Sequence, residues 1–136
     1  MDMTRERIVN RESFLDMLDL EVKRARRYQN FFSILKLKLS PLPASGNSAD
    51  FPICCKTLTD LLAKELRESD ILCSLVDDQW AVLIPYADLS DIGLLRLRLM
   101  GSLEYYDFKN KGYEVLADLV CFPIDGTNMT DLVGKL

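Results

Sequence analysis

The sequence predicts an α+β domain: a ferredoxin-like split βαβ core (βαββαβ) with one additional helix in front of it. Three observations lead there. Helix-period and strand-period segments follow one another as helix, β-α-β-β-α-β and the start of a last helix. Two short apolar runs separated by an acidic tip make a hairpin in the middle of the chain. At 136 residues, 49% apolar and 28% charged, the chain suits a single soluble domain with its own core, residues 1–136.

Asn10 is placed to cap the first helix, which runs to about Tyr28 with Phe14, Met17, Leu18, Val22 and Ala25 at helical spacing. Phe31 to Leu39 reads as a strand. There Leu35, Leu37 and Leu39 alternate with Lys36 and Lys38, one face apolar and the other bearing two ammonium groups. Ser40 to Asp50 is broken by Pro, Ser, Gly and Asn and reads as a loop. A second helix is expected over Cys55 to Glu68, with Leu58, Leu61, Leu62 and Leu66 on one side. Ile71–Leu75 and Trp80–Ile84 form the hairpin, closed by Pro85. Ser90 caps a third helix from Asp91 to about Leu103, presenting Ile92, Leu95 and Leu99. Tyr113 to Phe122 is the last strand, Pro123 to Gly126 a turn, and Thr127 or Asn128 opens a final helix.

Composition removes several classes of function. The net charge of −4 argues against general binding to nucleic acid, which needs a cationic surface to release counterions. The cluster Lys23-Arg24-Arg26-Arg27 lies beside Glu21 and an apolar stripe, the pattern of a solvated helix face. No run reaches the about 18 apolar residues of a membrane span. The N-terminus lacks an apolar leader segment, so a cytoplasmic chain is expected. Four cysteines without a CxxC pair, and no histidine, give neither a zinc site nor a Ser-His or Cys-His nucleophile.

At the hairpin the wording becomes specific. Asp70-Ile71-Leu72-Cys73-Ser74-Leu75-Val76-Asp77-Asp78-Gln79-Trp80-Ala81-Val82-Leu83-Ile84-Pro85 resembles the GGDEF hairpin of diguanylate cyclases. Asn10-Arg11 with Phe14 is similar to that family's entry to its first helix. Glu21 with Arg24-Ala25-Arg26-Arg27-Tyr28, and Phe122-Pro123-Ile124-Asp125-Gly126-Thr127, resemble two further segments in the same order. The likeness spans about residues 10 to 136 and stops before the family's closing helix, which reads as truncation at the C-terminus.

Cyclases of this family condense two GTP molecules with Mg²⁺ held on carboxylates. The resemblance puts Lys38 where the strand carboxylate belongs, and Ser40 near the next one. Val76 and Asp77 replace the two glycines that let backbone approach phosphate. Asp78 keeps its acid, Gln79 is a neutral amide in place of the second, and Trp80 fills the phenylalanine position. The guanine-reading segment has become residues 41–50, and the S-I-G strand signature aligns with Leu116-Ala117-Asp118. The resemblance therefore implies a catalytically inactive domain, with no metal and no cofactor. Lys38 is expected to pair with Asp77 or Asp78.

One constellation survives. Arg67-Glu68-Ser69-Asp70 matches the R-x-x-D of the family's inhibitory site, and Arg98, with Arg96 nearby, falls at the place of its additional arginine. The resemblance implies a cyclic di-GMP receptor through Arg67, Asp70 and Arg98. A guanidinium fork donates to the Hoogsteen edge of guanine, and a carboxylate accepts from its N–H groups. Read without the resemblance, the same residues are an i,i+3 pair, or Asp70 caps the entry to the strand. The alternative function is a ligand-free dimerisation or protein-interaction domain, acting on a partner or neighbouring domain, with Leu94 and Leu97 as the exposed contacts.

Overall fold

The structure, a computed structural model, describes residues 8–43, 50–76 and 78–136. The elements in chain order are β1 (Ile8–Val9), α1 (Arg11–Tyr28), β2 (Phe32–Pro41), α2 (Phe51–Glu65), β3 (Ile71–Val76), β4 (Gln79–Pro85), α3 (Leu89–Tyr106), β5 (Tyr113–Phe122) and α4 (Met129–Val133). The sheet order is β1-β3-β4-β2-β5. β2 pairs antiparallel with both β4 and β5, and β3 with β4, while β1 adds a parallel edge to β3. The four longer strands give the ferredoxin-like order expected from the sequence.

Strand periodicity divides the side chains of β2 between two cores. Leu35, Leu37 and Leu39 point to one face and join Trp80 and Val82 of β4 beneath Leu58 and Leu62 of α2 and Ile92 and Leu99 of α3. Phe32 and Ile34 point to the other, where α1 lays Phe14, Leu18 and Val22 over them. Phe32 stacks on Phe122 with ring centroids 4.9 Å apart. The second face of β2 is therefore polar only in its later half, at the half-buried Lys36 and the exposed Lys38. This corrects the reading of one apolar and one charged face: α1 covers Phe32 and Ile34, the first half of the face whose later half carries Lys36 and Lys38.

The helix boundaries shift for identifiable reasons. Asn10 caps α1 as expected, its side chain accepting from the Ser13 N–H at 2.8 Å. Met17 is only half-buried, and Glu21 occupies the covered stripe. α2 begins four residues earlier than the expected Cys55, because Asp50 caps it and Pro52 sits in the first turn, where its missing N–H costs nothing. It ends at Glu65, short of the expected Glu68. α3 is capped by Asp88, not Ser90: Asp88 accepts from the Asp91 N–H at 2.9 Å and the Asp91 carboxylate accepts from the Asp88 N–H. Among the described residues, no helix is long and apolar enough to cross a membrane.

Candidate functional site

Two regions compete for the chemistry. The first is the hairpin tip and the end of β2. Lys38 is in register with Gln79 on β4 and with Leu116 on β5, on the sheet face left open by α1. Val76 is exposed, and a register shift between Ser74 and Val76 marks a bulge before the tip. The Leu39 N–H donates to the Asp78 carbonyl at 2.9 Å, tying the tip to β2. No ion pair joins Lys38 to Asp78, which corrects half of that expectation; Asp77, the other partner considered, lies outside the described residues.

Trp80 turns to the opposite face. It is 1% exposed, and its indole N–H donates to Thr59 Oγ1 on α2 at 2.9 Å, so it belongs to the core. Lys38 presents a cation and Gln79 a neutral amide where a divalent ion needs anionic oxygens. Among the described residues no three His, Cys, Asp or Glu come together as a metal site. Among the described residues Lys38, Asp78 and Gln79, this end offers a divalent ion one carboxylate beside a cation, a poor fit for magnesium.

The second region is a groove of about 310 Å³ between the end of α2, the end of β4 and the start of α3, lined by Arg67, Asp70, Tyr86, Asp91, Leu94 and Arg98 among others. The three residues singled out from the sequence thus meet in one place. Asp70 is buried, and it organises the turn after α2. Its carboxylate accepts from the Arg67 backbone N–H at 2.9 Å, while its own N–H donates to the Arg67 carbonyl at 3.1 Å. Asp70 therefore holds the backbone of the turn that carries Arg67, whose exposed side chain lines the groove.

Arg98 is held from the other side. Its Nη2 donates to the Glu65 carbonyl at 2.9 Å and its Nε lies 3.0 Å from the Glu65 carboxylate, which also accepts from Ser102. This joins α3 to the last turn of α2 and keeps a guanidinium at the groove wall.

Two residues of this region escaped the sequence reading. Tyr86, directly after Pro85, has φ 60° and an exposed ring. A left-handed aromatic residue costs about 1–3 kcal/mol, so the surrounding structure must hold it there. The Arg24 guanidinium lies over that ring, 4.7 Å from its centroid. Arg24 in turn makes hydrogen bonds of 2.7 and 2.6 Å to both carboxylate oxygens of Glu21. Those bonds raise the Arg24 pKa above its ordinary value, against a smaller opposing effect of burial. The cluster on α1 is therefore not all solvated face. The Glu21–Arg24 spacing of one helical turn was the available signal; Tyr86 gave none beyond being an aromatic at a strand end.

A further cavity of about 360 Å³ at the C-terminal end of α3 carries Glu104, Asp107 and Glu114 against Lys109, a poor seat for an anion.

No protein-family model and no curated protein matches the sequence. Solved structures do match. A DGC protein from Thermotoga maritima superposes with a TM-score of 0.79 at 18% identity, over 96% of this chain and 93% of that one. The FimX GGDEF domain from Pseudomonas aeruginosa gives 0.76 at 16%, over 94% and 83%. The GGDEF domain of DgcB from Caulobacter crescentus, in complex with c-di-GMP, gives 0.66 at 12%, over 94% and 78%. Strand order, helix placement and these superpositions agree: the chain has the fold of a GGDEF domain.

Proposed function

We propose that this chain is a GGDEF-like signalling domain that does not condense GTP and that binds cyclic di-GMP in the groove of Arg67, Asp70 and Arg98. The observation that carries the reading is the convergence there of two guanidinium groups, a buried carboxylate and an exposed aromatic ring. Each has a part suited to a cyclic dinucleotide. Arg67 donates a two-pronged hydrogen bond to the Hoogsteen edge of a guanine. Asp70 accepts from guanine N–H groups; a carboxylate has about four acceptor sites. Arg98 supplies positive charge for phosphate. Tyr86, backed by Arg24, offers a face for a base to stack on. The DgcB domain with c-di-GMP bound is a case of this fold accepting that ligand.

Loss of catalysis is the second half of the reading. Lys38 repels a divalent ion, and Val76 sets a branched side chain where backbone must close on phosphate. Incubation with GTP and Mg²⁺ is expected to yield no cyclic dinucleotide; product in proportion to protein would contradict this.

Calorimetric titration with cyclic di-GMP tests the binding. The wild type is expected to show saturable heat, and Arg67→Ala to lose about tenfold or more in affinity, the about 1.5–3 kcal/mol of a charged hydrogen bond. Arg67 is exposed, so its removal leaves the fold intact. Equal affinity in Arg67→Ala would place the ligand elsewhere.

A further inference from the structure

α3 has apolar residues on both of its sides, and only one side is used by the fold. Ile92 and Leu99 are buried against the sheet, whereas Leu94, Leu97 and Met100 are 69, 72 and 44% exposed. At about 100° per residue, Gly93, Leu94, Leu97, Met100 and Gly101 fall on one outward stripe with Leu97 at its centre. A Cβ added at Gly93 or Gly101 would meet nothing within 4 Å, so no neighbour in this chain requires either glycine. Both sit inside a helix, where glycine is unfavourable by about 1 kcal/mol relative to alanine.

The stripe is close to self-complementary. Gly93 and Gly101 lie four residues before and after Leu97; Leu94 and Met100 lie three before and after. When a second α3 is laid antiparallel on the first, with the two-fold axis beside Leu97, Leu97 meets its own counterpart. Leu94 then stands over Gly101 of the second copy, and Met100 over Gly93, so each bulky side chain enters a place with no side chain. The two-fold repeats both insertions, the isologous pattern of a symmetric dimer.

We propose that this face of α3 is a self-association surface on which a second copy of the chain packs antiparallel. One helix face covers less than the about 800 Å² per partner of a standard stable interface, so the association is weak and concentration-dependent. It does not rest on the ligand reading: the stripe shares Leu94 with the Arg67–Asp70 groove, but its central Leu97 does not line it.

Sedimentation velocity of the full chain across a micromolar concentration series tests it, without ligand. The weight-average mass is expected to climb towards that of a dimer. Leu97→Arg is expected to weaken association about tenfold or more, as removal of a central anchor does. The double change Gly93→Ala with Gly101→Ala is expected to raise the monomer's melting temperature while weakening association, because its methyls find open space in one chain and a side chain in two. Under mild oxidation Leu97→Cys is expected to cross-link. Tyr105→Cys is not, since antiparallel helices hold those positions about 24 Å apart. A mass that stays monomeric, association unchanged in Leu97→Arg, or equal cross-linking at both positions would overturn the proposal.

Discussion

Lys38 shows how one side chain sets the charge at the end of a strand without altering the strand. It stands at an ordinary position of β2, in register with its neighbours, and nothing about the strand is disturbed. What it contributes is a positive charge at the open end of the sheet, which opposes the approach of a cation. Cys73 illustrates the opposite case, a group silenced by position. It lies fully buried under α1, and burial raises its thiol pKa to about 11 from an ordinary 9.0, with Arg11 opposing weakly. The thiolate is disfavoured in the folded state, so the unfolded chain loses this proton first. The corresponding stability is whole below pH 9 and is lost as pH rises towards about 11. Replacing Cys73 with Ala is expected to flatten the decline of the urea midpoint over that interval; an unchanged decline would assign it to other groups. In the native state near neutral pH, alkylating reagents are expected to reach the half-buried Cys55 well before Cys73.

At the scale of elements, the caps hold the groove in place. α3 starts at Leu89 because Asp88 and Asp91 satisfy each other's backbone N–H, and this start sets the direction in which Asp91, Leu94 and Arg98 face the groove. Asp88→Ala is expected to cost about 0.5–2 kcal/mol in urea unfolding, whereas Ser90→Ala, one residue inside the helix, is expected to cost less; equal losses would remove the capping box from the account. The sequence was legible here in type and less so in extent. β5 has the bounds its composition predicts. The starts of α2 and α3 were read too late, since an apolar period locates the buried face and not the cap, and Pro52 looks like a breaker until it is seen in a first turn. β1 has two residues, too few for any period to register. Position was also what the sequence could not supply for Tyr86 and Arg24, which are 62 residues apart in numbering and meet through the fold.

For the whole molecule, the central point is that fold and reaction are separable. Two cores built on alternate faces of one sheet hold the architecture through α1 on one side and α2 and α3 on the other. Of the described residues around the hairpin tip, Trp80 packs into one core, while Val76 and Lys38 stay outside both. Substitutions at Val76 or Lys38 are therefore expected to have little effect on stability. The groove lies at the other end of the hairpin, tied to the helices through Asp70, Glu65 and Asp88, and it is preserved by the same contacts that preserve the fold. The measurement that addresses both ends at once is a titration of the ¹⁵N-labelled chain with cyclic di-GMP, followed by amide chemical shifts. Shifts are expected to concentrate at Arg67, Ser69, Asp70, Tyr86 and Leu94, with Lys38 and Gln79 unmoved. Shifts concentrated at Lys38 and Gln79, or none at saturating ligand, would contradict the account.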